Sequence, residues 1–355
     1  MMQSGFWNGK RVFITGHSGF KGSWLSLWLQ MQGAEVGGYA LPPLQGPNLY
    51  NLARVGDNML SVFGDITDSH KLNQSLGAFQ PDIVFHLAAQ PLVRYSYTHS
   101  SETFNTNVMG TVHLLEAARQ CESVKVVVNV TSDKCYDNPG NQRSGFVESD
   151  PMGGHDPYSA SKGCAELVTS AYRNSFYSSS GKQLASVRAG NVIGGGDWAE
   201  DRIIPDYIRS IANRKPMLIR KPNAVRPWQH VLDPLSGYLL LAQRMWETGD
   251  DYSTGWNFGP DAESIVTVKE LIDRTMRIWP NQVIYSPEGQ DEAYEAALLT
   301  LNSAKAKHVL GWKPKLNVDE AIAWTIQWYK AFSEQADMSD YTAQQIHRFD
   351  ALEGL

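Results

Sequence analysis

The sequence predicts an α/β fold, a doubly wound parallel sheet joined to a smaller mixed α/β unit. Three features point to it. Short β-branched runs alternate with helix-spaced segments through the first half of the chain. The runs are almost continuously apolar, as strands covered on both faces must be. A glycine-rich turn links the first run to the first helical segment.

Apolar runs at Arg11–Thr15, Glu35–Leu41, Leu60–Ile66, Asp82–Ala88, Lys125–Ser132 and Gln183–Gly190 read as strands. Gly22–Gln32, Ser69–Phe79, Ser100–Gln120 and Tyr158–Tyr177 carry the three-and-four spacing of helices, which implies right-handed crossovers. After Gly190 the rhythm changes. Gly194-Gly195-Gly196-Asp197 marks a loop, and Pro205, Pro216, Pro222, Pro227 and Pro234 punctuate the next forty residues. Helical spacing returns at Asp233–Trp246, Val268–Ile278 and Val318–Phe332. The expected division is one domain over residues 1–190, with a return around 230–260, and a second over 191–355. The stretch after about Glu334 is polar and weakly patterned and reads as a docking arm.

Composition narrows the function classes. A chain of 355 residues, 42% hydrophobic and 19% charged, can bury a sizeable core and is not disordered. Lys and Arg number 31 against 37 Asp and Glu, a net charge of −6. That balance argues against binding nucleic acid or a membrane surface but leaves room for a local basic pocket. Cys121, Cys135 and Cys164 form no Cys-x-x-Cys, and no His pair stands at metal spacing, so neither a disulfide framework nor a metal site is expected. The opening MMQSGFWNGKRVFITG lacks an apolar signal core, and Gly237–Ala242 is far too short to span a bilayer. A cytoplasmic location is expected.

Directly after the first strand comes Gly16-His17-Ser18-Gly19-Phe20-Lys21-Gly22. Glycines at i, i+3 and i+6 let the backbone turn tightly and approach a pyrophosphate, which then meets the free N–H groups and dipole of the helix. These seven residues are the first candidate cofactor contacts, with His17 and Lys21 as two basic-capable groups beside the phosphates. A ribose-binding carboxylate is expected about 20 residues further on. No Asp or Glu lies between Val36 and Gly56, so this stretch does not decide between NAD and NADP. Asp65 and Ile66, after the third strand, offer an acceptor for the adenine amine.

Tyr158-Ser159-Ala160-Ser161-Lys162 opens a helix and places Tyr158 and Lys162 one turn apart on a single face. A phenol with its ordinary pKa of about 10 is a poor base at neutral pH. A nearby ammonium and a bound cationic nicotinamide would favour its ionised form. Ahead of it, Thr131-Ser132-Asp133-Lys134 closes a strand at the carboxyl edge of the sheet, where such folds bind ligands.

The glycine loop, His86-Leu87-Ala88-Ala89-Gln90, Thr106-Asn107-Val108 and Tyr158…Lys162 resemble the extended short-chain dehydrogenase/reductase family, a Rossmann-type fold. Within it GHSGFKGSWL, the Ser-Asp-Lys triplet, NVIGGGDW, RIIPD and LNSAKAKHVLGWKP are similar to nucleotide-sugar 4,6-dehydratases, over about residues 8–330. The resemblance implies an NAD-dependent lyase. It adds Leu87, Ala88, Ala89, Gln90 and Asn107 to the cofactor contacts, and it gives Lys162 the nicotinamide ribose. It implies that Tyr158 takes the proton of the sugar 4-hydroxyl, that Ser132 shares a hydrogen bond with it, and that Asp133 protonates the departing 6-hydroxyl. Lys134 stands where dehydratases acting on dTDP-glucose carry a glutamate base. It is either a neutral base for C5 or a charged group that steadies the enolate.

Arginines around or beyond the last strand (Arg188, Arg202 and Arg226) suit the oxygens of a nucleoside diphosphate. With Arg94, Ser132 and Asn191 they form the expected substrate side, the implied substrate being CDP-linked glucose. The rivals are another nucleotide-sugar dehydratase, a 4-epimerase and a non-catalytic dinucleotide sensor. A homodimer through helices Ser100–Gln120 and Tyr158–Tyr177 is implied, with a tetramer as the alternative.

Overall fold

The computed structural model describes residues 5–138, 145–285 and 298–352. Seven parallel strands form one sheet: β1 (Arg11–Thr15), β2 (Glu35–Ala40), β3 (Leu60–Phe63), β4 (Ile83–His86), β5 (Val126–Val130), β6 (Gln183–Ala189) and β7 (Gly255–Phe258), in the order β7-β6-β5-β4-β1-β2-β3. Every residue of β4, β5 and β6 is buried, as strands packed on both faces require. Helices α1 (Phe20–Met31), α2 (Ser69–Phe79), α3 (Gly110–Gln120), α4 (Pro157–Tyr172) and α5 (Leu232–Thr248) cover those faces. Trp24, Trp28, Leu235 and Trp256 belong to one apolar layer, and Phe13, Leu76, Leu115 and Tyr177 to the other. The strand order reverses between β1 and β4, which opens a crevice at their carboxyl ends.

The fold class is as the sequence predicts. Strand β7 has no counterpart among the six expected runs. It is four residues long, pairs Gly255–Phe258 against Ser186–Ala189, and is delivered by α5, which lies against β5 and β6. Beyond β6 the chain also makes three two-stranded pairings: Val192–Ile193 with Gln229–His230, Val225–Pro227 with Ile265–Thr267, and Met217–Ile219 with Val283–Tyr285.

The expected docking arm is instead an ordered helix. Residues 338–351 form α7 (Met338–Ala351), after α6 (Val318–Ser333). Asp337 caps it, its Oδ1 accepting from the backbone N–H of Ser339 and Asp340. Its buried face is Met338, Thr342, Gln345, Ile346 and Phe349. Two of those five positions are polar, Thr342 donating to the Met338 carbonyl and Gln345 to the Trp324 carbonyl, so a hydropathy pattern does not reveal the stripe. Phe349 meets Trp28 edge to face, and Asp350 accepts from the Trp28 indole at 3.2 Å. Among the described residues no helix is long and apolar enough to cross a membrane.

Asp233, fully buried in the first turn of α5, pins the 312–317 segment by accepting from the Lys315 backbone N–H at 2.6 Å, while its Oδ2 has no partner among the described residues. Burial pushes this carboxyl up to about 7. The folded state therefore holds a proton between about pH 4 and pH 7 that the unfolded chain has already released, so stability falls as pH rises through that window. Asp233→Asn cannot titrate. Its Tm relative to the parent is expected to climb by several degrees from pH 5 to pH 8, measured by calorimetry; a constant difference would contradict the buried-charge account.

Candidate active site

The glycine loop makes a cradle that only glycines fit. Gly16 has φ of +78°, and a Cβ there would stand 2.7 Å from the Ala88 backbone nitrogen. A Cβ on Gly22 would lie 2.1 Å from the Gly16 carbonyl oxygen, which is backbone and cannot step aside. The turn thus presses against both the start of α1 and the end of β4, leaving the helix N-terminus facing the crevice. This is the geometry a dinucleotide pyrophosphate needs.

A cleft of about 810 Å³ opens there. Gly16, Ser18, Gly19, Phe20, Lys21 and Gly22 line it, with Asp65, Ile66, Leu87, Ala88 and Ala89. Ser18 donates to the Leu41 carbonyl at 2.7 Å. Asp65 Oδ1 accepts from the N–H and the hydroxyl of Thr67, both at 2.8 Å, the bonding of a strand-ending turn. The wall beside the β2 end is apolar, formed by Leu41, Pro42, Pro43 and Leu44.

Three expected cofactor contacts, His17, Gln90 and Asn107, are not among the residues that line the cleft. The His17 imidazole is buried against Gly38, hydrogen-bonds Ser61 at 2.6 Å and stacks on Phe63. Burial lowers its pKa to about 4, so it is a neutral packed ring and not a base beside phosphates. Gln90 is tied to Thr103 at 2.8 Å and to the Leu92 backbone. Asn107, buried, exchanges hydrogen bonds with the backbone of Gln90 and donates to Ser161 at 2.8 Å. Gln90 thus ties the β4 end to the helical stretch before α3, and Asn107 ties it to α4; neither is among the residues that line the cleft. Lys21 stays in the cleft but lies among Arg202, Asp133, Lys162 and Asp197; burial first, then Arg202 and Lys162, lower it to about 8 against the two carboxylates.

The Tyr158–Lys162 pair and the β5 end meet on the opposite wall. Asp156 caps α4 by accepting from the Ser159 N–H at 2.9 Å, and Pro157 presets the first turn. Tyr158 and Ser132 both line the cleft. Burial pushes the Tyr158 phenol up to about 12; the Ser132 hydroxyl and Arg202 oppose this, while Asp133 and Asp156 add to it. Lys162, lowered by burial to about 8, donates to the Val130 carbonyl at 3.3 Å. Ser132 donates to Asp133 Oδ1 at 3.0 Å, and Lys134 Nζ stands 3.9 Å from the same oxygen. Asp133 is 1% exposed, and its Oδ2 has no partner among the described residues.

Beneath this wall lies a buried network the sequence does not announce. Arg188, expected at the diphosphate, pairs with Glu166 of α4 through Nε and Nη2, both at 2.8 Å, and Ser186 and Thr131 also donate to that carboxylate. Burial pushes Glu166 up, but these donors outweigh it and hold it below its ordinary value. Arg188 is therefore a strut joining β6, α4 and the β5 end. The reason is tertiary: its neutralising partner sits 22 residues earlier, on another element.

Of the substrate-side residues, Arg94, Ser132, Asn191, Arg202 and Arg226 all line the cleft. Asn191 Oδ1 is buried there without a partner among the described residues. Arg202 Nη1 donates to Asp197 Oδ2 at 2.8 Å. Arg94 Nε lies 3.9 Å from Asp201, which also takes a 2.9 Å bond from Arg220. Arg220 and Thr106 line the cleft too, and sequence reasoning misses both. Thr106 stands beside Asn107 in a motif that could have pointed to it, whereas Arg220 has no motif around it.

Known proteins share this arrangement. A CDP-glucose 4,6-dehydratase of Salmonella typhimurium is 53% identical over 343 residues, covering 95% of each chain. A probable dTDP-glucose 4,6-dehydratase of Sinorhizobium fredii is 29% identical, over 90% of this chain and 92% of its own. Among solved structures, dTDP-glucose 4,6-dehydratase of Streptomyces venezuelae, with NAD and TYD bound, superposes with a TM-score of 0.75 at 26% identity, covering 93% of this chain and 99% of that one. The GDP-mannose 4,6 dehydratase model matches residues 13–325, from β1 to within α6. A match running from the glycine cradle past the last cleft residue, together with a relative alike over nearly its whole length, means that the chain belongs to the GDP-mannose 4,6 dehydratase family.

Proposed function

We propose that the protein is a CDP-glucose 4,6-dehydratase, a hydro-lyase that converts CDP-D-glucose to CDP-4-dehydro-6-deoxy-D-glucose with NAD. The observation that carries this reading is the placing of a buried carboxyl and an amine, Asp133 and Lys134, with Tyr158 in one cleft. Oxidation at C4 alone needs only Tyr158 and Lys162; loss of water across C5 and C6 needs a further acid and a group for the C5 side. An epimerase would have no use for that pair.

The glycine cradle, Ser18, Phe20, Ile66 and the Leu87–Ala89 strand end would hold NAD, with Lys162 at its nicotinamide ribose. When bound, NAD supplies a hydride acceptor for C4 and returns the hydride to C6, so none is consumed. The chain's own residues do the proton work. Tyr158 accepts the proton of the 4-hydroxyl, to which Ser132 also hydrogen-bonds. The resulting ketone acidifies C5; Lys134 as a neutral amine takes that proton and, once charged, steadies the enolate. Asp133, its Oδ1 toward Ser132 and Lys134, gives a proton to the departing 6-hydroxyl. Asn191, Arg226 and Arg94 face the nucleoside diphosphate. The 4-keto-6-deoxy product suits the making of deoxysugars for bacterial surface polysaccharide, in the cytoplasm.

The helical stretch before α3, α4 and the turn that follows α4 expose Phe104, Met109, Leu167 and Phe176. A second copy covering this face would make the isologous dimer. Incubating the protein with CDP-glucose and NAD⁺ should yield a ketone lighter than the substrate by one water. A galactose-configured product would support the epimerase instead, and no turnover of any nucleotide sugar a non-catalytic sensor.

A further inference from the structure

Tyr158, Lys162, Glu166 and Thr169 recur at helical spacing along α4 and are all buried, so they form one stripe. That stripe is fastened to the end of β5 residue by residue. Asn129 Nδ2 donates to the Thr169 hydroxyl at 2.7 Å, Lys162 Nζ to the Val130 carbonyl at 3.3 Å, and the Thr131 hydroxyl to Glu166 Oε1. The residues that follow at once are Ser132, Asp133 and Lys134. Helix and strand end also approach closely. A Cβ on Gly163 would stand 2.8 Å from the Gly153 carbonyl oxygen and 3.2 Å from that of Cys135, and the Gly153 N–H donates to the Cys135 carbonyl at 2.8 Å.

Thr131 is the last of these fastenings before the reacting side chains. It lines the cleft, yet its hydroxyl is engaged by Glu166, with the Val187 carbonyl 3.2 Å away, and neither of those residues lines the cleft. Its backbone N–H donates to the same Val187 carbonyl at 2.9 Å. Glu166 has three further donors: Arg188 Nε and Nη2, both at 2.8 Å, and the Ser186 hydroxyl at 2.6 Å. Those three neutralise and hold the buried carboxylate without help from Thr131. What the Thr131 bond adds is a fix on the residue just ahead of Ser132.

We propose that Thr131 is a positioning residue of the catalytic wall: its hydroxyl, bonded to Glu166, fixes the Ser132–Lys134 end against α4 and so sets its distance from Tyr158. This rests on the reading that Ser132, Asp133 and Lys134 act on the sugar. A misplacement of about 1 Å at reacting groups can slow a reaction about 10²-fold, so one buried hydroxyl outside the chemistry has a kinetic effect.

With NAD bound, Thr131→Val keeps the side chain's shape and removes only the hydroxyl. It is expected to lower kcat for CDP-glucose at least about tenfold with KM within about threefold. Thr131→Ser, which restores the hydroxyl, should bring kcat back to within about threefold of the parent. Ser186→Ala is the control. It takes one donor from the same carboxylate, but from β6 and not from the catalytic strand end, and should leave kcat within about threefold. Glu166→Asp keeps the charge opposite Arg188 and draws the oxygens back by one methylene; its kcat should fall as in Thr131→Val, and it serves if the valine variant does not fold. Equal losses of kcat in Thr131→Val and Ser186→Ala, or a serine variant no better than valine, would show that the hydroxyl only supports the fold and would overturn the proposal. Parental kcat in Thr131→Val or Glu166→Asp would overturn it too. If Asp133→Asn and Tyr158→Phe also turn over at the parental rate, the fault lies with the reading of the wall and not with Thr131 alone.

Discussion

Tyr158→Phe is expected to lower kcat by about three orders of magnitude while KM changes less than about threefold. The ring would stay packed, since Tyr158 is 7% exposed and its place is set by the Asp156 cap and by the Ser96 hydroxyl that accepts its backbone N–H. What vanishes is the phenol oxygen that receives the 4-hydroxyl proton in the proposed mechanism. Stability should hold or rise slightly, because a buried hydroxyl goes without leaving a charge behind. The pH profile supplies the check. With burial pushing the phenol to about 12, the parent's rate rises as pH increases toward the phenol's pKa in the complex, and the variant should lose that rise. A residual rate with the parental pH dependence would place the base elsewhere.

Asp133→Asn should separate the two halves of the reaction. Asparagine keeps the shape and can still accept from Ser132, but it has no acidic proton for the 6-hydroxyl. Dehydration is expected to slow about 10²- to 10⁴-fold, whereas removal of hydrogen from C4 continues. In a single-turnover mixture quenched early, the variant should therefore accumulate a ketone lighter than CDP-glucose by two hydrogens rather than by one water. The physical reason lies in how the carboxyl is held: Oδ1 toward Ser132 and Lys134, and Oδ2 buried against Gly190, where a Cβ would approach it to 2.9 Å. Equal slowing of both steps, with no such ketone, would show that Asp133 serves binding instead.

Much of this architecture can be read from local pattern. All six expected strands form, because runs such as Val126–Val130 are apolar at every position but Asn129 and leave no polar face to solvate. The catalytic wall is legible for a similar reason, since Tyr158 and Lys162 lie one turn apart on a capped helix, so their spacing sets their neighbourhood. What the pattern hides is partnership across the fold. Arg188 looks like an anion ligand until Glu166 is seen against it. Gln90 and Asn107 sit in a motif that implies a cofactor, yet each spends its hydrogen bonds on bracing the β4 end. His17, inside the glycine loop, turns under β2 because Gly38 leaves a space the size of an imidazole. Helix α7 escapes notice because Thr342 and Gln345 occupy its buried face.

The decisive measurement tracks one hydrogen. CDP-glucose carrying deuterium at C4, turned over in ordinary water, should give a keto product with that deuterium at C6, because the same enclosed cleft removes it and puts it back. Product whose newly gained C6 hydrogen comes from solvent, with the label washed out, would contradict an internal transfer in this site.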